Sequence, residues 1–305
     1  MTGSWVAADV RAIAMSRRTV GRAGASSIAG CVDLAAALGE LQSSPYARDL
    51  RPSHDLAAAQ RAVASTLLWN VRVIAGWVPA SGVGMLRIAM AWFEIVNLEA
   101  RLRPPGRGDV VPQFDVGGLA STLGGSESVT TGNVLERLGA TWWGSPSQDS
   151  VWAIGLAMRS RLIDRASSGV PGASAWAAGA AALIVAREQV LAGNRLPTDV
   201  RHNLARTLGA PALEAGSLDA LRECLPSRAS WVLDNVAHPA DIWRAESGWW
   251  ARVELDGGEL LRGSSFGPEP VVGAVAVMAS DAWRVRAALQ AAALGGATEA
   301  FDELA

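Results

Sequence analysis

The chain has 305 residues, half of them apolar, with 27 basic and 29 acidic side chains and a formal net charge of −2. That balance leaves no general cationic excess to displace counterions from nucleic acid, although Arg11, Arg17, Arg18 and Arg22 keep a local basic patch open. Every basic residue is arginine, which excludes a lysine-dependent phosphate loop and otherwise fits a codon bias.

One pattern is written three times, at a period of roughly ninety to a hundred residues, too long for the common solenoids. Each copy has a short helix-forming lead that ends near an aromatic, then a long helical segment, a turn and a second long helical segment. In the first copy the lead is 31–46, ending at Tyr46, and the long segments are 55–79 and 81–103. The second has a lead at 133–146 containing Trp142 and Trp143, with long segments at 149–171 and 174–193. The third has a lead at 217–231, ending at Trp231, and long segments at 239–263 and 269–296. Ala and Leu dominate and β-branched residues show little alternation, so the expected class is all-α. Domains are expected at 1–109, 110–194 and 195–305, one per copy, because the length exceeds what a single core usually holds.

The most apolar runs, 176–186 and 271–279, are interrupted by Arg187 and Asp281 before they reach the roughly twenty residues that span a bilayer, so they read as buried core helices. No charged segment followed by an apolar run opens the chain, and no secretory leader is expected. Cys31 and Cys224 form no CxxC pair, and His54, His202 and His238 show no metal-ligand spacing, which fits a reducing compartment with no metal. Thirteen tryptophans are expected mostly in the core, but the neighbours Trp142/Trp143 and Trp249/Trp250 cannot both face inward from one helix. The G-x-G in 81–87 follows a helical segment rather than a strand and reads as a helix-to-helix turn, not a dinucleotide site. No G-x-S-x-G, HExxH or DxxxD pattern marks a nucleophile, zinc or magnesium site, so a non-catalytic protein without cofactors is expected.

A polar signature marks the second long segment of the copies. Glu94, Asn97 and Arg101 are spaced to share one helix face, with Leu98 and Arg103 completing the pattern E-x-x-N-L-x-x-R-x-R. Asp281, Arg284, Val285 and Arg286 stand in the corresponding stretch of the third copy, while the second keeps Arg187 and Glu188. Apolar neighbours on either side imply that these residues tie each helix to adjacent structure.

At these residues the chain resembles the C subunit of bacterial and archaeal V/A-type rotary ATPases, the relative of the eukaryotic vacuolar ATPase d subunit. The resemblance spans nearly the whole length. It rests on an opening helix at 5–18, a Leu-rich run closing on Ser44-Pro45-Tyr46, and the acidic-x-x-N-L-x-x-x-x-R pattern of Glu94, Asn97, Leu98 and Arg103. Its most specific piece is Phe266-Gly267-Pro268-Glu269-Pro270, followed by an apolar run, Asp281 and Arg286. Arg284 in the third copy and Ala182 in the second replace the family's asparagine, held here by Asn97. The resemblance implies three similar helical subdomains in a pseudo-threefold, funnel-shaped arrangement. It implies a non-catalytic central-stalk subunit that links the axle to the membrane proteolipid ring and couples ATP hydrolysis or synthesis to proton or sodium transport. The expected partners are the axle subunits and the ring, with no nucleic acid and no small-molecule substrate. The expected location is cytoplasmic, peripheral on the inner face of the plasma membrane through the complex. Two other readings of the residues stay open: a soluble helical scaffold with the same fold and different partners, and a helical enzyme with clustered carboxylates in a deep pocket.

Overall fold

The computed structural model describes residues 5–103, 112–121, 131–234, 236–263, 266–296 and 301. Among them the ordered elements are all helical, with no strand. In chain order these are α1 (Val6–Ser16), α2 (Gly21–Ala29), α3 (Leu34–Glu40), α4 (Leu56–Ala75), α5 (Ala80–Met90) and α6 (Trp92–Leu102). They continue as α7 (Thr131–Gly139), α8 (Val151–Gly169), α9 (Ser174–Ile184), α10 (Thr198–Leu208), α11 (Leu218–Cys224), α12 (Ser227–Ser230), α13 (Ile242–Leu261) and α14 (Pro268–Ala293). The order of lead, long helix and closing helix recurs: α3, α4, then α5 and α6; α7, α8, then α9; α11 and α12, α13, then α14.

Local chemistry sets many of the boundaries. Asp33, Asp55, Ser150 and Ser217 each cap a helix, accepting from the amide three residues on, so a donor with no partner inside the helix is satisfied. The first closing segment breaks at Ala91, where the bonding tightens: the Ala91 amide donates to Ile88 O at 3.2 Å and the Glu94 amide to Ala91 O at 3.0 Å. The second widens instead into a π-turn over Val185–Leu191, with the Ala192 amide reaching Arg187 O at 2.9 Å. Helices α1, α2 and α10 lie outside the threefold pattern read from the sequence.

The chain divides into two compact units, 1–82 with 250–305 and 83–249. In the first unit α14 is the central element and packs on α1, α2, α3 and α4. It is buried nearly all round, from Pro270 and Val271 to Ala292, and its polar Asp281 and Arg284 are buried with it. In the second unit α8 packs on α6, α9 and α10, and α9 also packs on α12. One of its cores joins Ala177, Ala178, Ala181 and Ala182 to Val200, Leu204, Leu221 and Leu233. Another joins Leu98 and Leu102 of α6 to Val134, Leu138, Trp143 and Met158.

The unit boundaries do not coincide with the three expected domains. They fall inside α5 and α13, because α6 packs on α8, α9 on α12 and α14 on α4, so each closing helix joins elements of the following copy and the third joins the first. The expected limit at 194/195 falls in the irregular stretch before α10, and that at 109/110 lies outside the described residues. The apolar runs at 176–186 and 271–279 lie in buried helical segments, and no helix among the described residues is long and apolar enough to cross a membrane.

Candidate functional site

Helix α6 holds the segment 112–121 with a row of polar side chains one turn apart. Asn97 forms a two-point clamp: its Nδ2 donates to Phe114 O at 2.9 Å, and its Oδ1 accepts from the Phe114 amide at 2.7 Å. Arg101 Nε donates to Gln113 Oε1 at 3.0 Å. Glu94 is 7% exposed; its Oε1 accepts from the Ser121 amide at 2.6 Å, and its Oε2 accepts from the Ser121 hydroxyl and, at 3.3 Å, from Trp143 Nε1. A buried carboxylate with three donors has replaced much of the hydration it lost. The ring of Phe114 meets Phe93 edge-on at 4.8 Å, so an apolar contact backs the polar clamp.

A second carboxylate does the same work in the first unit. Asp281 of α14 is 2% exposed, and its Oδ1 accepts from the Gly21 amide at 2.7 Å. Its Oδ2 accepts from the Val20 amide at 3.1 Å and from the Tyr46 hydroxyl at 2.8 Å. Val20 is right-handed helical and Gly21 has φ +72°, so their successive amides converge on one point, a backbone nest for an anion. Glycine is favoured at position 21 because an L side chain is strained at that φ. Burial raises the Asp281 pKa above 3.8 while the Gly21, Tyr46 and Val20 donors oppose the rise. Burial and the adjacent Asp281 charge hold the Tyr46 hydroxyl well above 10, so it remains a donor. A recess beside the pair, between Arg18, Thr19, Asn70 and Met278, has room for about one water molecule.

The two carboxylates are matched in kind. Each sits on a closing helix, accepts two bonds from a segment outside that helix (an amide and a hydroxyl of Ser121 at Glu94, the Val20 and Gly21 amides at Asp281), and takes a third from the aromatic in the lead of another copy, Trp143 or Tyr46. In the second copy the residue three before Ala182 is Gly179, at the same offset as Glu94 from Asn97 and Asp281 from Arg284. The aromatic of the third lead, Trp231, lies against it: a Cβ at Gly179 would stand 2.9 Å from Trp231 Cζ2 and 2.9 Å from Trp249 Cδ1. Without a carboxylate there, the Trp231 indole N–H donates to Arg228 O at 2.8 Å instead. The polar grip of the second copy comes from the π-turn, where Gln189 Nε2 donates to Leu213 O at 3.0 Å and Ala215 O at 2.8 Å. Nearby, Glu188 accepts from Trp152 Nε1 at 2.9 Å, and Arg187 pairs with Glu246.

The other residues singled out in the sequence fall into separate places. Leu98 is buried in the core between α6, α7 and α8. Phe266 is exposed, while Gly267 donates its amide to Asp9 Oδ2 at 2.9 Å. Helix α14 starts at Pro268, so Pro268, Glu269 and Pro270 occupy its first turn, where amides have no partner within the helix and proline costs little. Arg284 is buried and pairs with Glu254. Arg286 is partly buried, its backbone carbonyl accepts from Gln60 Nε2 at 3.2 Å, and burial lowers its pKa. Arg103 stands exposed at the end of α6; Arg101, one turn beyond Asn97, carries the contact. Trp142 stacks on Trp143 at 3.9 Å, whereas Trp249 donates to Trp176 O and Trp250 stacks on Trp283 at 5.6 Å.

Among the described residues no group of three or more His, Cys, Asp or Glu is arranged to hold a metal ion. The arrangement ties segments to helices through buried polar bonds at two carboxylates, Glu94 and Asp281, while the position at Gly179 is filled by indole packing alone. No protein-family model matches the sequence, and no curated protein matches it.

Proposed function

We propose that this chain is a non-catalytic central-stalk subunit of a V/A-type rotary ATPase, an adaptor between the axle and the membrane proteolipid ring. In this role it couples ATP hydrolysis or synthesis to proton or sodium transport without binding nucleotide, on the cytoplasmic side of the membrane. The same proposal includes three similar helical subdomains around a pseudo-threefold axis in a funnel-shaped whole.

The observation that carries the reading is the recurring seat. Trp143 lies at Glu94, Trp231 at Gly179 and Tyr46 at Asp281, so the closing helix of each copy receives the lead aromatic of the next and the third receives that of the first. Such cyclic succession is what a threefold adaptor requires. An element that passes torque needs joints that resist shear; at Glu94 and Asp281 buried carboxylate hydrogen bonds beside aromatic rings supply that resistance, and at Gly179 close indole packing does. The residues that carry the family resemblance, Tyr46, Glu94, Asn97 and Asp281, are among those that make the joints.

The test is ATP-driven ion uptake into inverted membrane vesicles from cells lacking the gene. The reading expects uptake to be lost while ATP hydrolysis by the detached head persists, and purified chain to restore uptake. Undiminished uptake in its absence contradicts the proposal and favours a helical scaffold with other partners.

A further inference from the structure

Helix α1 divides sharply into two faces. Ala8, Asp9, Ala12 and Ser16 are buried, while Val6, Ala7, Val10, Arg11 and Ala14 are exposed on successive turns of the opposite side, continued past the helix by Arg17 and Arg18. Arg22, at the start of α2, is also exposed. Val10 is 59% exposed, and Trp77, 47% exposed, lies under the Arg11 guanidinium at 4.4 Å from the ring centroid. Asp9 is the only acidic residue from 5 to 22, and it is buried beneath the helix. Arg17, Arg18 and Arg22 form no ion pair with a described residue. Exposed Glu269, at the start of α14, is a carboxylate close enough to act on Asp9 from a neighbouring element, and against it stand four arginines, so the patch keeps a cationic excess with the apolar side chains of α1 beside it.

From this face we infer a docking surface for an anionic phospholipid bilayer, formed by α1, the arginines that follow it and Trp77. Charge complementarity calls for an acidic partner, and the interleaved valines and indole select among acidic partners. Headgroup phosphates take the guanidinium groups, Trp77 sits at headgroup depth, and Val6 and Val10 reach the acyl boundary. A polyacidic peptide or a nucleic-acid backbone would satisfy the arginines and leave the valines in water. With one short helix and four cations the attachment is reversible and salt-sensitive. The inference does not depend on the rotary assignment, since it concerns the isolated chain and lipid alone.

The test is flotation of the purified full chain with vesicles of phosphatidylcholine, and of phosphatidylcholine with a third of its lipid replaced by phosphatidylglycerol. Binding is expected to the anionic vesicles only and to weaken with added salt. The double variant Arg17→Glu, Arg22→Glu is expected to lower it by at least about tenfold with an unchanged melting temperature, because both positions are exposed and outside the core. Val10→Ser is expected to weaken it further, which a purely ionic contact would not show. Absence of binding to anionic vesicles, equal binding to neutral ones, or retention on polyglutamate or RNA without flotation would each overturn the inference.

Discussion

Asp281 shows how one side chain can be both costly and necessary. Burial disfavours its charge, yet three donors converge on it, so Asp281→Asn exchanges one acceptor oxygen for an NH2 group that faces the Gly21 amide, or the Val20 amide and the Tyr46 hydroxyl. We expect a loss of about 1–3 kcal/mol in urea or thermal unfolding. The pH dependence has a definite sign. A carboxyl whose pKa is raised on folding binds its proton more tightly in the native state, so its contribution to stability is lost as pH rises through the raised value and is recovered as pH falls toward 3.8. The deficit of Asp281→Asn relative to wild type should therefore widen between neutral pH and pH 3.8; a deficit that narrows would show the opposite shift. Asn97→Leu removes both bonds to Phe114 and should cost about 1–3 kcal/mol, with unchanged unfolding counting against the clamp. Asn97 was legible as a polar residue between apolar neighbours, but its partner was not, since residues 112–116 have no helical or strand periodicity. The same limit explains Arg101 and Arg103: spacing puts Arg101 on the face of Asn97, whereas the resemblance points to Arg103, exposed just past the end of α6.

At the scale of elements, the long helices were legible because apolar runs, Asp or Ser caps and Pro or Gly turns agreed with one another. The crossing of α13 and α14 was not, because a glycine shows no sign in sequence of what lies above it. A Cβ at Gly273 would stand 2.5 Å from Gly257 O and 2.9 Å from the Leu261 amide nitrogen, both backbone atoms that cannot rotate aside. Gly273→Ala should cost about 3 kcal/mol despite the better helix propensity of alanine, read as a lower denaturation midpoint at unchanged m-value. At Gly179 the obstacles are the indoles of Trp231 and Trp249, and Gly179→Ala should cost about 1–2 kcal/mol; a stabilised variant would show that the rings are free to shift. The π-turn that aims Gln189 also escaped the sequence, because one extra residue in a turn leaves the apolar pattern nearly unaltered.

For the whole molecule, the all-helical class was readable, but the partnership between lead aromatics and closing helices was not. A lead aromatic reads as the end of its own helix, and nothing in the sequence indicates that it is received by the closing helix of another copy. The seats at Glu94, Gly179 and Asp281 supply that link and give the rotor-adaptor account its physical content. The account is tested most directly by affinity purification of the tagged chain from gently solubilised native membranes, with mass spectrometry of the proteins retained. It predicts proteolipid and axle subunits in a fixed ratio to the chain. Recovery of the chain alone, or with soluble partners only, from membranes whose ATPase purifies intact without it would contradict the account.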